Sequence, residues 1–574
     1  MNEQIAKIFN AMAFILEGLN VPFKPRAYAK AAEAILALDK NVEEIFKTEG
    51  LVGLKQISSI GQNLAEHIEE IIKTGRLKEY EILKKKLPVD IEELSSIEGL
   101  GPKKVKILYD KLKIKNRAGL TKAISGHKIA KLEHFGAQSE ANIQRGLKFL
   151  KTNTSRVPLG YILPLAREIE QKLSQVSGVK KVVIAGSIRR WQETIGDIDI
   201  LAISDQPKKI MATFVNLPEV QSVLNYGSTR SSVRLKINMD ADLRVVEPKS
   251  FGAALQYFTG DKNHNVIIRE IAIKKGLKLN EYGLWRGAKN IACQTEEEIY
   301  TSLGLNYIEP ELRTDSGEIE AAQKHQLPKL IPYGSLKCDL QTQTNWTDGE
   351  YSIEAMSRAA QKAGLKYIAI TDHTKTLGIA HGLDEKQLLK QCQEIDALNA
   401  KFIKEKINFK ILKSAEININ KDGSLDIADA ALKKLDIVSV AVHSAFRLSK
   451  EEQTKRIIRA IEHPLVNILF HPTGRLINRR EPYELDMKAV IKSAAANRVA
   501  LELDCFPDRM DLKDTYVREA IAQGVKIAID TDAHHPDHFK FLELGIGTAR
   551  RGWATKKDVI NTWPIEKLLS WAKK

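Results

Sequence analysis

Apolar residues recur at helical spacing from Ile5 to Leu19 and again from Tyr28 to Leu38, so the chain is predicted to open with amphipathic helices. One short pattern then appears three times: Ile57-Ser-Ser-Ile60-Gly61, Ile97-Glu-Gly-Leu100-Gly101 and Leu132-Glu-His-Phe135-Gly136. The first two lead into amphipathic helical patterns, the second through Pro102-Lys103-Lys104, whereas Gln138 and Glu140 set the third apart. Farther on the period shortens. Lys181–Ala185 is an apolar run read as a buried strand, and Ile198 with Ile200-Leu201-Ala202-Ile203 marks a second. Asp242 opens a third with Leu243-Arg244-Val245-Val246. Helical patterns are expected through Leu277–Leu279 and Glu296–Leu303, and the stretch from Pro310 to Pro332 reads as a linker. Beyond it, short apolar runs alternate with helical stretches, the pattern of a β/α barrel.

The predicted strands carry chemistry. Asp197 and Asp199 lie two apart and therefore share a face. Carboxylates held side by side repel each other unless a cation sits between them. Just upstream, the Gly186-Ser187 turn can bring backbone N–H groups and a hydroxyl to phosphate oxygens, and Arg190 adds a forked cation. This pairing points to metal-assisted phosphoryl or nucleotidyl transfer, with Asp242 the candidate third acid and Asp240 on its face. In the barrel, run after run ends in a potential ligand: Gln341 and Gln343, Asp372-His373, Glu416, His443, His471, Glu502 and Asp504, then Asp532 and His534. Barrel sites gather at such strand ends.

Composition narrows the class. With 574 residues the chain forms several domains, and its net charge of +15 favours an anionic partner such as nucleic acid. Four isolated Cys, at 293, 338, 392 and 505, indicate neither a zinc ribbon nor a disulfide framework and suit a reducing cytoplasm. Glu3, Lys7 and Glu17 interrupt the first apolar pattern, which argues against a signal peptide, and no apolar stretch is long enough to span a bilayer.

Three separated motifs, GSIRR…GDIDIL from Gly186, DLRVV from Asp242 and YFTGDKNHN from Tyr257, resemble the palm and thumb of family X DNA polymerases in order and spacing. The resemblance implies that Asp197, Asp199 and Asp242 hold two Mg²⁺ or Mn²⁺ ions. Gly186, Ser187, Arg190, Gly196 and Gly260 would serve the incoming deoxynucleoside triphosphate. Tyr257 and Phe258 would crowd the sugar, Asn265 would reach the base edge, and Arg269 the template. Asp240 departs from the pattern, adding negative charge beside Asp242. The repeated glycine pattern is similar to the helix-hairpin-helix motif, in which Gly61, Gly101, Lys103 and Lys104 would meet DNA phosphates without reading sequence. Lys24, Tyr28 and Lys30 match parts of a pocket that grips the 5′-phosphate of a gap. The Schiff-base lysine of some members is matched here by His67, which cannot form that imine.

The back half resembles the PHP domain, a metal-dependent phosphoesterase module, through Thr371–His373, His443-Ser444, His471-Pro-Thr-Gly-Arg475, Asp532–His534 and Asp348. By that likeness Glu416, His443 and His471 form one Mn²⁺ or Zn²⁺ group, and Asp348, His373 and His534 another. A third would share Glu416 and Asp532 with two histidines of a His-x-His motif, which this chain replaces by Gln341 and Gln343. An amide oxygen is a poor ligand beside imidazole.

The expected architecture is multidomain. All-α helix-hairpin-helix modules fill 1–92 and 93–152, an α+β nucleotidyltransferase palm 153–250 and a helical thumb 251–315. A linker at 316–334 then leads to a distorted β/α barrel at 335–574. The expected function is a cytoplasmic, monomeric, template-directed DNA polymerase that fills short gaps in base excision repair, acting on gapped or primed DNA, with weakened 3′–5′ exonuclease or phosphoesterase activity in the barrel. The rivals are an untemplated nucleotidyltransferase and a noncatalytic DNA-binding scaffold.

Overall fold

The computed structural model describes the chain apart from residues 37, 39, 40, 58, 96, 98, 99, 134, 137, 138, 141, 142, 145, 146, 148–155 and 574. His134 and Gln138 of the third glycine pattern therefore lie outside the described residues. The chain forms two compact units, residues 1–154 with 478–481, and the remainder.

In the first unit, helices Asn2–Gly18, Lys24–Leu36, Val42–Lys55, Gln62–Thr74 and Pro102–Leu112 enclose one apolar core that includes Phe9, Met12, Ile35, Leu54, Ile68 and Val105. These are the periodic positions of the sequence, turned inward. Gly61 and Gly101 each precede a helix, in extended backbone (φ −81° and −70°) that any residue adopts. Among the described residues, a Cβ on either would meet nothing within 4 Å, so packing against them does not demand a glycine.

The second unit opens on a five-stranded sheet in the order Val179–Ile184, Asp197–Ser204, Asp240–Val245, Arg230–Leu235, Val220–Tyr226. Only the pair Asp197–Ser204 and Asp240–Val245 is parallel. Period-two alternation divides the faces. Ile198, Ile200, Ala202, Ala241 and Leu243 pack against helices Leu159–Ser174 and Pro207–Val215. On the opposite face Leu201 packs with Phe251, Ala254 and Leu255 of helix Phe251–Thr259, leaving the acids at its edge.

Helix Lys262–Lys274 follows, then three short antiparallel strands, Lys278–Asn280, Gly283–Arg286 and Lys289–Ala292. The helix expected through Leu277–Leu279 is thus corrected to a turn and the first of these strands. Helix Lys262–Lys274 ends before Gly276, which has φ +69°, and Gly283 and Gly287 also take positive φ where the ribbon reverses. Helix Glu296–Ser302 closes the region, and helix Glu318–Gln323 lies within the segment read as a linker. Glu318 is buried against His264, whose Nδ1 lies 2.7 Å from it while Nε2 reaches the Tyr300 hydroxyl at 2.9 Å.

The barrel consists of parallel sheets of three and five strands. Parallel bridges His373–Glu416 and Thr342–Ala533 join them, so that Gln341, Gln343, His373, Glu416 and His534 converge at one end.

One buried ion cluster ties the palm sheet to the segment after it. Arg189 grips Glu296 through two bonds of 2.9 and 2.6 Å, and buried Arg313 donates to the same carboxylate at 2.5 Å. Against the upward push of burial, Arg313 and Arg189 hold Glu296 at about 2, well under its ordinary 4.5. A depressed carboxylate stabilises the fold above its unfolded pKa, and that contribution vanishes as pH falls through the folded value. Glu296→Gln is expected to destabilise the second unit by about 3 kcal/mol at pH 7. In thermal melts the gap to wild type should narrow as pH falls from about 4.5 towards 2; a gap independent of pH would contradict this.

Candidate active sites

The parallel register sets Asp197 opposite Asp240 and Asp199 opposite Asp242. Burial, then the charges of Asp197 and Asp242, raise Asp199 to about 7, only partly offset by Arg244 and Arg190. Three acids with too little positive charge form a donor set that fits a divalent cation. Asp242 accepts from the Ser232 hydroxyl and lies 3.5 Å from Arg230. Asp240, the acid that departs from the family pattern, is paired with Arg234, which neutralises much of its charge. Sequence reasoning missed Ser232, Arg230 and Arg234, which the alternation along the neighbouring strand carries to the acid face, and Arg244, which shares the strand of Asp240 and Asp242.

Strand Val179–Ile184 feeds the short helix Gly186–Arg189 above the acids. Gly186 has φ +61°, and a Cβ there would collide with the Asp199 carboxylate, so its glycine is required on both counts. Ser187 Oγ and Arg190 Nε are buried with no hydrogen-bond partner among the described residues. Such orphaned groups fit an absent anionic ligand. Arg190 also donates to the carbonyls of Thr259 and, at 3.0 Å, Gly260. Gly260 is needed for close approach, since a Cβ would strike Asn265. Gly196 lies beside Arg156, 3.0 Å from where a Cβ would sit.

Tyr257 and Phe258 pack edge to face at 5.0 Å. Arg244 lies over the Phe258 ring at 4.6 Å and Arg269 over Tyr257 at 6.0 Å. Asn265 donates to the Tyr257 carbonyl at 2.7 Å and accepts from Gln256 at 2.8 Å. Its amide is thus held by its own fold in this state.

In the barrel, Glu416 is the hub. One carboxylate oxygen meets His443 at 2.9 Å and His471 at 2.8 Å, while the other meets His373 at 3.4 Å and Gln343 Nε2 at 2.8 Å. Asp348 bridges His373 at 3.5 Å and His534 at 3.6 Å. Asp348 with His373 and His534, and Glu416 with His373 and His443, each gather tightly enough for one ion. Although burial opposes it, the charges of Glu416 and Asp348 raise His373 to about 9. Likewise, against burial, Asp532 and Asp348 raise His534 to about 10.

The third position differs. Both amide atoms of Gln341 and Oε1 of Gln343 are buried without a partner among the described residues. Asp532 lies 3.7 Å from Arg509, whose Nε also meets Asp504 at 3.1 Å. Two amides and a guanidinium do not fit a divalent ion as imidazoles would. Arg509 was not singled out in the sequence; its place between two barrel acids becomes apparent only when the strand ends are brought together.

In the first unit Tyr28 and His67 meet at 3.0 Å, and Glu79 lies 3.3 Å from both His67 and Lys24. Lys30 shares helix Lys24–Leu36, and Lys103 and Lys104 sit in the first turn after Gly101.

Family models match three stretches: a helix-hairpin-helix domain at 1–77, the DNA polymerase beta thumb at 254–314 and a PHP domain at 339–505. A "DNA polymerase/3′-5′ exonuclease PolX" of Bacillus subtilis (strain 168) is 36% identical over 578 residues, covering 100% of this chain and 99% of that protein. DNA polymerase lambda of Arabidopsis thaliana is 25% identical over 354 residues, 54% of this chain and 62% of that protein. A "Probable phosphatase" of Thermoanaerobacter sp. (strain X514) is 31% identical over 252 residues, 40% of this chain and 91% of that protein.

Restoring imidazoles tests the third position. By equilibrium dialysis with Mn²⁺, the combined change Gln341→His and Gln343→His is expected to add about one bound ion per chain. An unchanged metal content would show that the glutamines are not what limits it.

Proposed function

The chain belongs to the family X DNA polymerases that carry a PHP domain, and from that membership we propose a gap-filling repair enzyme whose barrel has lost part of its metal set. It is a template-directed DNA polymerase using divalent metal, and neither an untemplated transferase nor a noncatalytic scaffold is favoured. The observation that carries the site assignment is the parallel register that lines Asp199 up with Asp242 beneath the Gly186 turn.

In this reading Asp197, Asp199 and Asp242 would hold the two ions of the palm. Bound Mg²⁺ or Mn²⁺ would supply Lewis-acid activation of the primer 3′-hydroxyl and neutralise the triphosphate. The chain's own groups do the rest. Ser187 and Arg190 bind triphosphate oxygens, with Gly186 and Gly196 permitting their approach. Tyr257 and Phe258 press on the sugar, and Asn265 exchanges its internal bonds for the base edge. Arg269 faces the template.

Gly61 and Gly101, around which a Cβ would meet nothing among the described residues, leave helix N-termini open to a DNA phosphate, with Lys103 and Lys104 adding charge. Lys24, Tyr28 and Lys30 receive the 5′-phosphate of a gap. His67, held between Tyr28 and Glu79, supports that pocket and offers no amine for lyase chemistry. In the barrel Asp348, His373, Glu416, His443, His471 and His534 would hold Mn²⁺ or Zn²⁺. The position of Asp532, with Gln341, Gln343 and Arg509 around it, is the deficient one. Chemistry at a multinuclear centre needs neighbouring ions to act together, so exonuclease activity should be weak.

Asp199→Ala and Asp242→Ala are each expected to reduce primer extension at least about a thousandfold while leaving gapped-DNA affinity within about twofold. Extension near the wild-type rate in either variant would move the site elsewhere. Binding to a one-nucleotide gap should tighten with a 5′-phosphate and weaken steeply with salt. Equal affinity with and without that phosphate, at fixed ionic strength, would contradict gap recognition.

A further inference from the structure

The segment that joins the two halves of the polymerase site is held from within the palm and also from the barrel. Arg190 ends the phosphate-type turn and Asp197 begins the acid strand, so residues 191–196 connect them. At its start the segment is tied locally, Gln192 N donating to Ser187 O at 3.0 Å. In the middle, the Glu193 carbonyl accepts from Leu159 N at 2.9 Å. Trp191 N also donates to Ile188 O at 2.8 Å, and Thr194 and Ile195 pair with Pro158 and Val157; further restraints on 191 and 193 come from the barrel and the segment leading into it.

Arg475, of the barrel's His471–Arg475 motif, forks onto the Glu193 carboxylate at 3.1 and 2.7 Å. The pair is close to dry, with side chains 12% and 14% exposed. The same guanidinium donates to the Met510 carbonyl. Arg551 donates to the Trp191 carbonyl at 3.1 Å and is itself fixed by Asp514 at 2.9 Å. Trp191 has φ +53° and packs against Tyr333 at 5.2 Å. At Gly547 a Cβ would lie 2.6 Å from the indole, so the contact is at backbone range. A second cross-connection, Arg167 to Glu543 at 2.7 and 2.9 Å, is exposed and touches no residue of 191–196.

A motif arginine at the mouth of a phosphoesterase-like barrel would ordinarily be read as a phosphate ligand; here its fork is spent on a palm carboxylate. We infer that Arg475, through Glu193, is a positioning residue for polymerisation: it sets the spacing between the Ser187–Arg190 turn and Asp197 on which triphosphate binding depends. The barrel thereby retains a structural duty towards the polymerase site whatever its own hydrolytic activity. This rests on the polymerase reading of that site. A bidentate, buried pair fixes both distance and orientation, whereas an exposed pair such as Arg167–Glu543 fixes little. Small displacements of a binding turn are costly because the bound geometry must be near-reactive.

The test is steady-state primer extension by the full chain, with primed-DNA affinity and melting temperature measured on the same samples. Arg475→Gln and Glu193→Gln are expected to raise the KM for the incoming deoxynucleotide about tenfold, with DNA affinity within about twofold. Arg475→Lys keeps the charge and loses the fork; it should raise KM severalfold and serves where the glutamine variants do not fold. Exchanging the charges, Glu193→Arg with Arg475→Glu, should recover part of the loss. Arg167→Ala should leave KM unchanged. A folded Arg475→Lys or Arg475→Gln with wild-type KM overturns the inference. So does an equal rise in Arg167→Ala, which would reduce Arg475 to one docking contact among others. Failure of the wild-type chain to extend primers at all would remove the polymerase reading and this inference together, an outcome distinct from wild-type extension with indifferent Arg475 variants.

Discussion

The parallel pairing of two short strands is the constraint from which the polymerase site follows. Because Asp197–Ser204 runs alongside Asp240–Val245 in register, the acids of both strands emerge on one face and in two rows. A slip of one residue would send Asp199 into the apolar layer beneath the sheet. Ile198, Ile200, Ala241 and Leu243 prevent that slip by being buried on the other side. Hydrophobic burial thus holds together acids that repel one another; burial first, and the charges of Asp197 and Asp242 second, raise the proton affinity of Asp199. Gly186 completes the arrangement, since any side chain there would occupy the Asp199 carboxylate's place.

The barrel solves the same problem differently. Its strand ends deliver His373, His443 and His471 to a single buried glutamate, whose two carboxylate oxygens meet all three imidazoles. Where the sequence carries Gln341 and Gln343, Arg509 lies against the neighbouring acids instead. Two amides beside a guanidinium are a poorer donor set for a divalent ion than two imidazoles. This is consistent with a module that persists as a support for the palm.

Much of this was legible in the chain. Asp197 and Asp199 are legible because strand alternation is a local rule, and Asp242 because it opens an apolar run of the same kind. Glycines before helices mark Gly61 and Gly101. The barrel cluster of His, Asp and Glu is legible because these residues recur at the ends of successive strands. What was not legible depends on long-range packing. Glu296, the partner of Arg189, is separated from it by more than a hundred residues. Arg475 and Glu193 are farther apart still, and nothing local distinguishes a motif arginine that meets phosphate from one that meets a carboxylate. The ribbon at 278–292 escaped because its strands are only three or four residues long, too short to show alternation, and its turns rest on Gly283 and Gly287, which helical periodicity overlooks.

The central claim is that three acids and one turn form a single metal-and-triphosphate site. Anomalous diffraction from crystals of the chain with gapped DNA, Mn²⁺ and a non-hydrolysable deoxynucleotide tests it most directly. The account predicts manganese peaks between Asp197, Asp199 and Asp242, with triphosphate oxygens on Ser187 and Arg190. Manganese confined to the barrel, or a nucleotide bound away from the Gly186 turn, would contradict it.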